Sequence, residues 1–209
     1  MDENVRSFAG IELVDLLRLG DLAADAEVEL FERNPAGSGR YAGRLLGRAL
    51  CQGAALHYVD KHNGVKDFDV WSFYAQHEEW PFPTRWRGTR DFGPSKFGRY
   101  PGDPAHYIGR RVDLLGRSLP VPPGADPTDA IRRYLAAAET RSSRELAAKA
   151  VVLIYPGDRV GEIVWPLVHS GPGGVYSGAG PMTVVLRMGS EAAAWAGGTV
   201  TTDYWSAGT

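Results

Sequence analysis

The chain predicts an α/β (α+β) domain: a short mixed sheet flanked by helices, with a helical C-terminal part. Three observations carry this. Apolar residues recur at helical spacing over 11–32 and again over 130–154. Between them lie runs rich in β-branched and aromatic residues at 44–51, 67–73 and 107–115, bounded by glycine turns. The composition, 44% hydrophobic and 23% charged over 209 residues, is that of an ordinary globular domain.

The elements follow in order. Ile11 to Leu19 reads as a helix ended by Gly20, and Asp21 as the N-cap of a second helix over 22–32. Asp15, Asp25, Glu27, Glu29 and Glu32 then form a solvated face. Asn34 to Gly39 is a loop by composition. Arg44 to Cys51 is the first core strand, broken by Gly47, and a turn at Gln52-Gly53 leads into a short helix over 54–59. Gly64 turns the chain into a strand that carries Asp67 and Asp69. Residues 80–104 are loop-rich, and a connection of that length in a compact domain is more often functional than not. A second strand over 107–115 carries Asp113. After the turn-rich 120–124, Asp126 or Thr128 caps a helix over 130–139, and a further helix over 142–154 contains Lys149. The division is therefore 1–40 helical lead-in, 41–120 core, 121–168 C-terminal helices and 169–209 a Gly-rich extension, strand-like at 182–188 and 199–205.

Composition excludes several function classes. The single cysteine, Cys51, rules out an intramolecular disulfide and a Cys-based zinc site. A net charge of −2 gives no global attraction to nucleic acid or membrane, so any such pull is local. No apolar run reaches transmembrane length and the acidic start is unlike a signal peptide, so a cytoplasmic setting without a membrane partner is expected.

The chemistry concentrates in three carboxylates. On a strand, Asp67 and Asp69 point to one face while Phe68 and Val70 point to the other. Two adjacent carboxylates repel unless a cation lies between them, and hard oxygen ligands suit magnesium. Asp113 in an apolar strand is costly to bury without a partner. If the two strands are neighbours, the acids form a cluster able to hold two divalent ions, which together clamp the attacking and leaving oxygens of a phosphoryl displacement. Arg111 shares a strand face with Asp113, so an ion pair between them is the competing reading.

Gly53 and Ala54 after the apolar Ala49-Leu50-Cys51, then Asp67-Phe68-Asp69, then Asp113, resemble the signature of the nucleotidyltransferase superfamily typified by DNA polymerase beta. The resemblance covers 45–117 and is nearest to small bacterial members of abortive-infection and toxin–antitoxin systems. The chain departs from the pattern at Ala54, where a serine hydroxyl would help hold phosphate. The resemblance implies a magnesium-dependent enzyme with two ions, Mn2+ being an alternative metal. It would transfer a nucleoside monophosphate from a nucleoside triphosphate such as ATP to a hydroxyl acceptor. Asp67 and Asp69 are to bind both ions, and Asp113 one ion while helping to deprotonate the acceptor. Gln52, Gly53 and Ala54 form the phosphate turn, with backbone N–H groups of Gln52 and Gly53 on the phosphates. RNA or tRNA is the first acceptor the resemblance implies, a protein hydroxyl or a small molecule such as an aminoglycoside stays open, and an antitoxin protein is a further candidate partner. A non-catalytic module of the same fold, binding RNA or a protein, is the alternative from another class.

Around the long loop, cations outnumber acids and aromatics interleave them. Lys96 and Arg99 in Phe92 to Arg99, with Arg110, are candidate phosphate ligands, and Lys149 is a secondary one. The competing reading has the arginines solvated and the aromatics filling the core.

Overall fold

The computed structural model describes residues 6–80, 82 and 87–166, all of which fall in one compact unit, Met1–Gly178. The strand-like segments at 182–188 and 199–205 lie outside the described residues. The elements are α1 (Leu13–Arg33), α2 (Pro35–Tyr41), β1 (Leu45–Cys51), α3 (Gln52–Asp60), β2 (Phe68–Ala75), β3 (Arg87–Asp91), β4 (Arg111–Leu119), α4 (Pro127–Ala137), α5 (Arg141–Ala147), β5 (Ala150–Tyr155) and β6 (Ile163–Trp165). They build an α+β architecture on a six-stranded mixed sheet of order β3-β4-β2-β1-β5-β6. β2 and β4 run parallel, while the other neighbouring strands are antiparallel.

Alternation along the strands divides the core into two layers. Phe68, Val70, Val112, Leu114, Val152 and Ile154 pack with Leu16 and Leu19 of α1 and Ala54 and Ala55 of α3. On the opposite face, Trp71, Phe73, Leu119, Val151 and Leu153 pack with Ile131 and Leu135 of α4 and Leu146 of α5. Each fully buried large side chain contributes about 2–3 kcal/mol. Asp69, between Phe68 and Val70, therefore belongs to the α4–α5 face.

Four expectations are corrected. Gly20 does not end a helix, because α1 runs through it as one helix of 21 residues. A Cβ at Gly20 would lie 3.3 Å from the Ile154 carbonyl oxygen, so glycine lets α1 lie close on β5. Second, the acids of α1 are not a uniformly solvated face. Asp15 is buried and accepts from the Glu12 N–H in a capping box. Glu27 accepts from Arg48 at 2.9 Å and from the Tyr74 hydroxyl at 2.7 Å, tying α1 to the sheet.

Third, the helix expected over 142–154 ends at Ala147, and 150–155 is a strand beside β1. The run Val151-Val152-Leu153-Ile154 is buried on both sheet faces, which removes the alternation that marks a half-buried strand. Lys149 thus sits in the turn between α5 and β5 rather than inside a helix. The expected loop over 34–39 contains a short helix instead, with Pro35 at its first position and Asn34 Oδ1 accepting from the Gly37 N–H.

Candidate active site

β1 ends at Cys51, and the chain turns through Gln52 into α3. Gln52 has φ 60°, a left-handed conformation uncommon for a non-glycine residue. Its side chain donates to the Glu145 carbonyl at 3.3 Å, and its backbone bridges to Ala150. A Cβ at the following Gly53 would meet no atom within 4 Å, so glycine keeps that wall open. Burial, helped by neighbouring Asp69, pushes the Cys51 thiol up, which makes this cysteine a packing residue.

β2 returns beside β1 through a turn set by His57. The fully buried ring accepts from the Gly64 N–H at Nδ1 and faces the Ala9 carbonyl at Nε2, which places the proton on Nε2. The turn delivers Asp67 immediately before β2 and Asp69 inside it. In the parallel β2–β4 ladder Asp69 is the register partner of Asp113. The three acids expected to converge are thus brought together at one end of the sheet. Their proximity is felt at Asp69, whose carboxyl is pushed up from 3.8 to about 7 by burial, then by the charges of Asp67 and Asp113, against the opposing pull of Lys149 and Arg111.

A cavity of about 590 Å³ opens here, within the range of small-molecule sites. Asp67 and Asp69 line it together with Gln52, Gly53, Ala54 and Lys149. Six of the predicted site residues therefore share one cavity. Asp113 does not line it. Its Oδ1 lies 3.1 Å from Arg111 Nε, and Arg111 also donates from Nη2 to Asp67 Oδ2 at 3.1 Å. The Nε contact is an ion pair without hydrogen-bond alignment. Among the described residues no three metal-ligating side chains stand ready around an ion. The guanidinium bridges two of the three acids instead. The competing ion-pair reading of Arg111 and Asp113 is thus what the side chains do here.

The long-loop cations go elsewhere. Lys96 lies 2.9 Å from both Glu12 and Asp15, fastening the start of α1. Arg99 donates to the Asp103 and Pro104 carbonyls. Arg110 is buried and donates to the Phe97 and Lys66 carbonyls. None of the three lines the cavity. The aromatics beside them, Phe92 and Phe97, pack around Phe68 in the core. Expected phosphate ligands turn out to be loop fasteners because each finds a carbonyl or carboxylate within its own fold. Asp91 completes the fastening by accepting from the N–H groups of Gly93, Ile108 and Gly109. Gly109 is pressed against Gly93, where an added Cβ would lie 1.9 Å from a carbonyl oxygen. Gly109→Ala should therefore destabilise the fold by about 3 kcal/mol, read as a lowered urea midpoint; an unchanged midpoint would mean that the loop can part there freely.

Sequence reasoning missed Arg6, Lys66 and Glu145, which also line the cavity. Lys66 directly precedes Asp67 and was open to inspection. Arg6 arrives through a bridge between Ser7 and Val65, a long-range pairing that no local pattern announces.

The geometry is that of acids on paired strands beside a glycine turn and a lysine. No protein-family model, curated protein or solved structure matches the chain. Among the described residues, no helix is long and apolar enough to cross a membrane.

Proposed function

We propose that this chain is a metal-dependent nucleotidyltransferase that moves a nucleoside monophosphate from a nucleoside triphosphate to a hydroxyl acceptor. The observation that carries this reading is the Asp69–Asp113 register pair with Asp67 at its side, beside the cavity that Gln52, Gly53 and Lys149 line. The donor set is chemically suited to a hard divalent cation: the groups are carboxylate oxygens, and Asp69, pushed up first by burial and then by the charges of Asp67 and Asp113, keeps that repulsion against the pull of Lys149 and Arg111. The three would surround an ion only once Arg111 releases Asp67 and Asp113. Asp67, Asp69 and Asp113 would hold magnesium, which when bound supplies Lewis-acid stabilisation of charge on the phosphoryl oxygens.

The chain's own residues do the rest. The Gln52–Gly53 turn at the start of α3 and the Lys149 ammonium receive the anionic phosphates. The acceptor oxygen forms its bond to the α-phosphorus, the bond to the bridging oxygen breaks, and pyrophosphate leaves. The acceptor proton passes to Asp113, as the resemblance implies, once Arg111 has withdrawn from its 3.1 Å contact. The same resemblance supports an RNA end, tRNA first, as the acceptor and an antitoxin protein as partner.

A second reading has one observation in its favour: Arg111 already bridges Asp67 and Asp113, as expected of a non-catalytic module that binds RNA or a partner protein through this fold. Labelled nucleoside triphosphates, magnesium and bulk RNA separate the two, since only the enzyme transfers label. Within that assay Lys149→Ala should raise the nucleotide KM about tenfold, equivalent to about 1.4 kcal/mol of binding, while Lys96→Ala leaves it unchanged. Equal effects of the two substitutions would contradict the placement of the phosphates.

A further inference from the structure

We infer that Trp71 and Leu115 form a nucleoside step in the cavity, an inference that rests on the nucleotidyltransferase reading. Among the described residues they are the two large apolar ones in its wall; the other described wall residues are charged, polar, glycine or alanine. Trp71 and Leu115 are register partners across β2 and β4, each two residues beyond Asp69 and Asp113. Residues i and i+2 share a face, so the apolar pair forms the next row on the acid-bearing face, about 7 Å along the strands.

That row is fixed in place. Trp71 is held in the α4–α5 core, its indole nearly parallel to the Phe73 ring at 22° with centroids 6.2 Å apart, and its 9% exposed remainder reaches the cavity wall. Leu115 is half-buried, and its exposed part faces a cleft otherwise built for charge. An apolar step at the end of a charged cleft suits a ligand that is anionic at one end and a flat ring at the other.

A nucleoside triphosphate has this shape, and its orientation follows from the sheet. The Gln52–Gly53 turn and Lys149 lie at the β1 and β5 side, where phosphates are received. The acids on β2 and β4 mark the reacting phosphorus. What continues from that phosphorus along β2 and β4, about one ribose away, is the nucleoside. Trp71 and Leu115 offer no hydrogen-bond acceptor and at most an indole N–H, so they favour ring area over edge pattern, purines over pyrimidines.

The test is equilibrium binding to the whole chain in magnesium of two probes, a non-hydrolysable purine nucleoside triphosphate and inorganic triphosphate. Leu115→Asn should weaken the nucleotide about tenfold and inorganic triphosphate less than twofold. Trp71→Leu should do the same wherever its circular dichroism matches wild type, and Leu115, at the surface of the cleft, keeps the test open if it does not fold. Equal weakening of both probes, or no weakening of the nucleotide in the folded Leu115→Asn chain, overturns the step while leaving the reaction standing. Binding of neither probe by wild type overturns the reaction and the step together.

Discussion

Asp69→Asn should lower nucleotidyl transfer by about 10³-fold or more, because removing one charged oxygen ligand from a metal site costs several kcal/mol of transition-state stabilisation. The same substitution should make the metal-free protein more stable at high pH. The folded state raises the Asp69 carboxyl from 3.8 to about 7, so it binds the proton more tightly than the unfolded chain does. Stability is therefore full below pH 4, falls as pH rises through that interval, and has lost its share once pH exceeds about 7. The corresponding free energy is about 4 kcal/mol at most. Asparagine carries no charge and escapes the loss. Melting curves in chelator should show the variant and wild type converging near pH 4 and the variant several degrees higher at pH 8. A variant less stable than wild type at pH 8 would mean that Asp69 is held by favourable contacts rather than forced beside other acids.

Arg111→Met should produce the second large effect, with the opposite sign. It removes the cation shared by Asp67 and Asp113, with Asp103 further off at 3.9 Å. The side chain is 33% exposed, so solvent screening reduces the loss to about 1–3 kcal/mol rather than the full cost of breaking a buried pair. Millimolar magnesium should restore the stability, since a cation that binds only the folded state stabilises it by mass action. Without the competing guanidinium, Mn2+ should bind roughly tenfold more tightly than to wild type, as read by titration of its paramagnetic resonance signal. Weaker Mn2+ binding would show that Arg111 organises the acids and does not compete for them.

Where the sequence was legible, a local pattern and a long-range contact agreed. The Asp67-Phe68-Asp69 alternation placed the acids on one face, and the apolar setting of Asp113 pointed to a neighbouring strand; the β2–β4 register joins them. The turn at Gln52-Gly53 was legible from glycine after an apolar run. Legibility failed where burial on both faces erased the period, as in β5, and where close packing outweighed propensity, as at Gly20. It failed again at Lys96, Arg99 and Arg110. A run of cations names no partner, and theirs are Glu12 and Asp15 far back in the chain, carbonyls within the loop, and the Lys66 carbonyl just before β2. The Arg111 contact was foreseen with Asp113, whereas its reach to Asp67 depends on two strands that meet only in the fold.

Anomalous diffraction from crystals grown with Mn2+ and a non-hydrolysable nucleoside triphosphate tests the central claim most directly. The account predicts manganese peaks bounded by carboxylate oxygens of Asp67, Asp69 and Asp113, with the Arg111 guanidinium displaced from at least one of its acids. A nucleotide-bound crystal with no manganese among these carboxylates, and Arg111 still bridging Asp67 and Asp113, would contradict it.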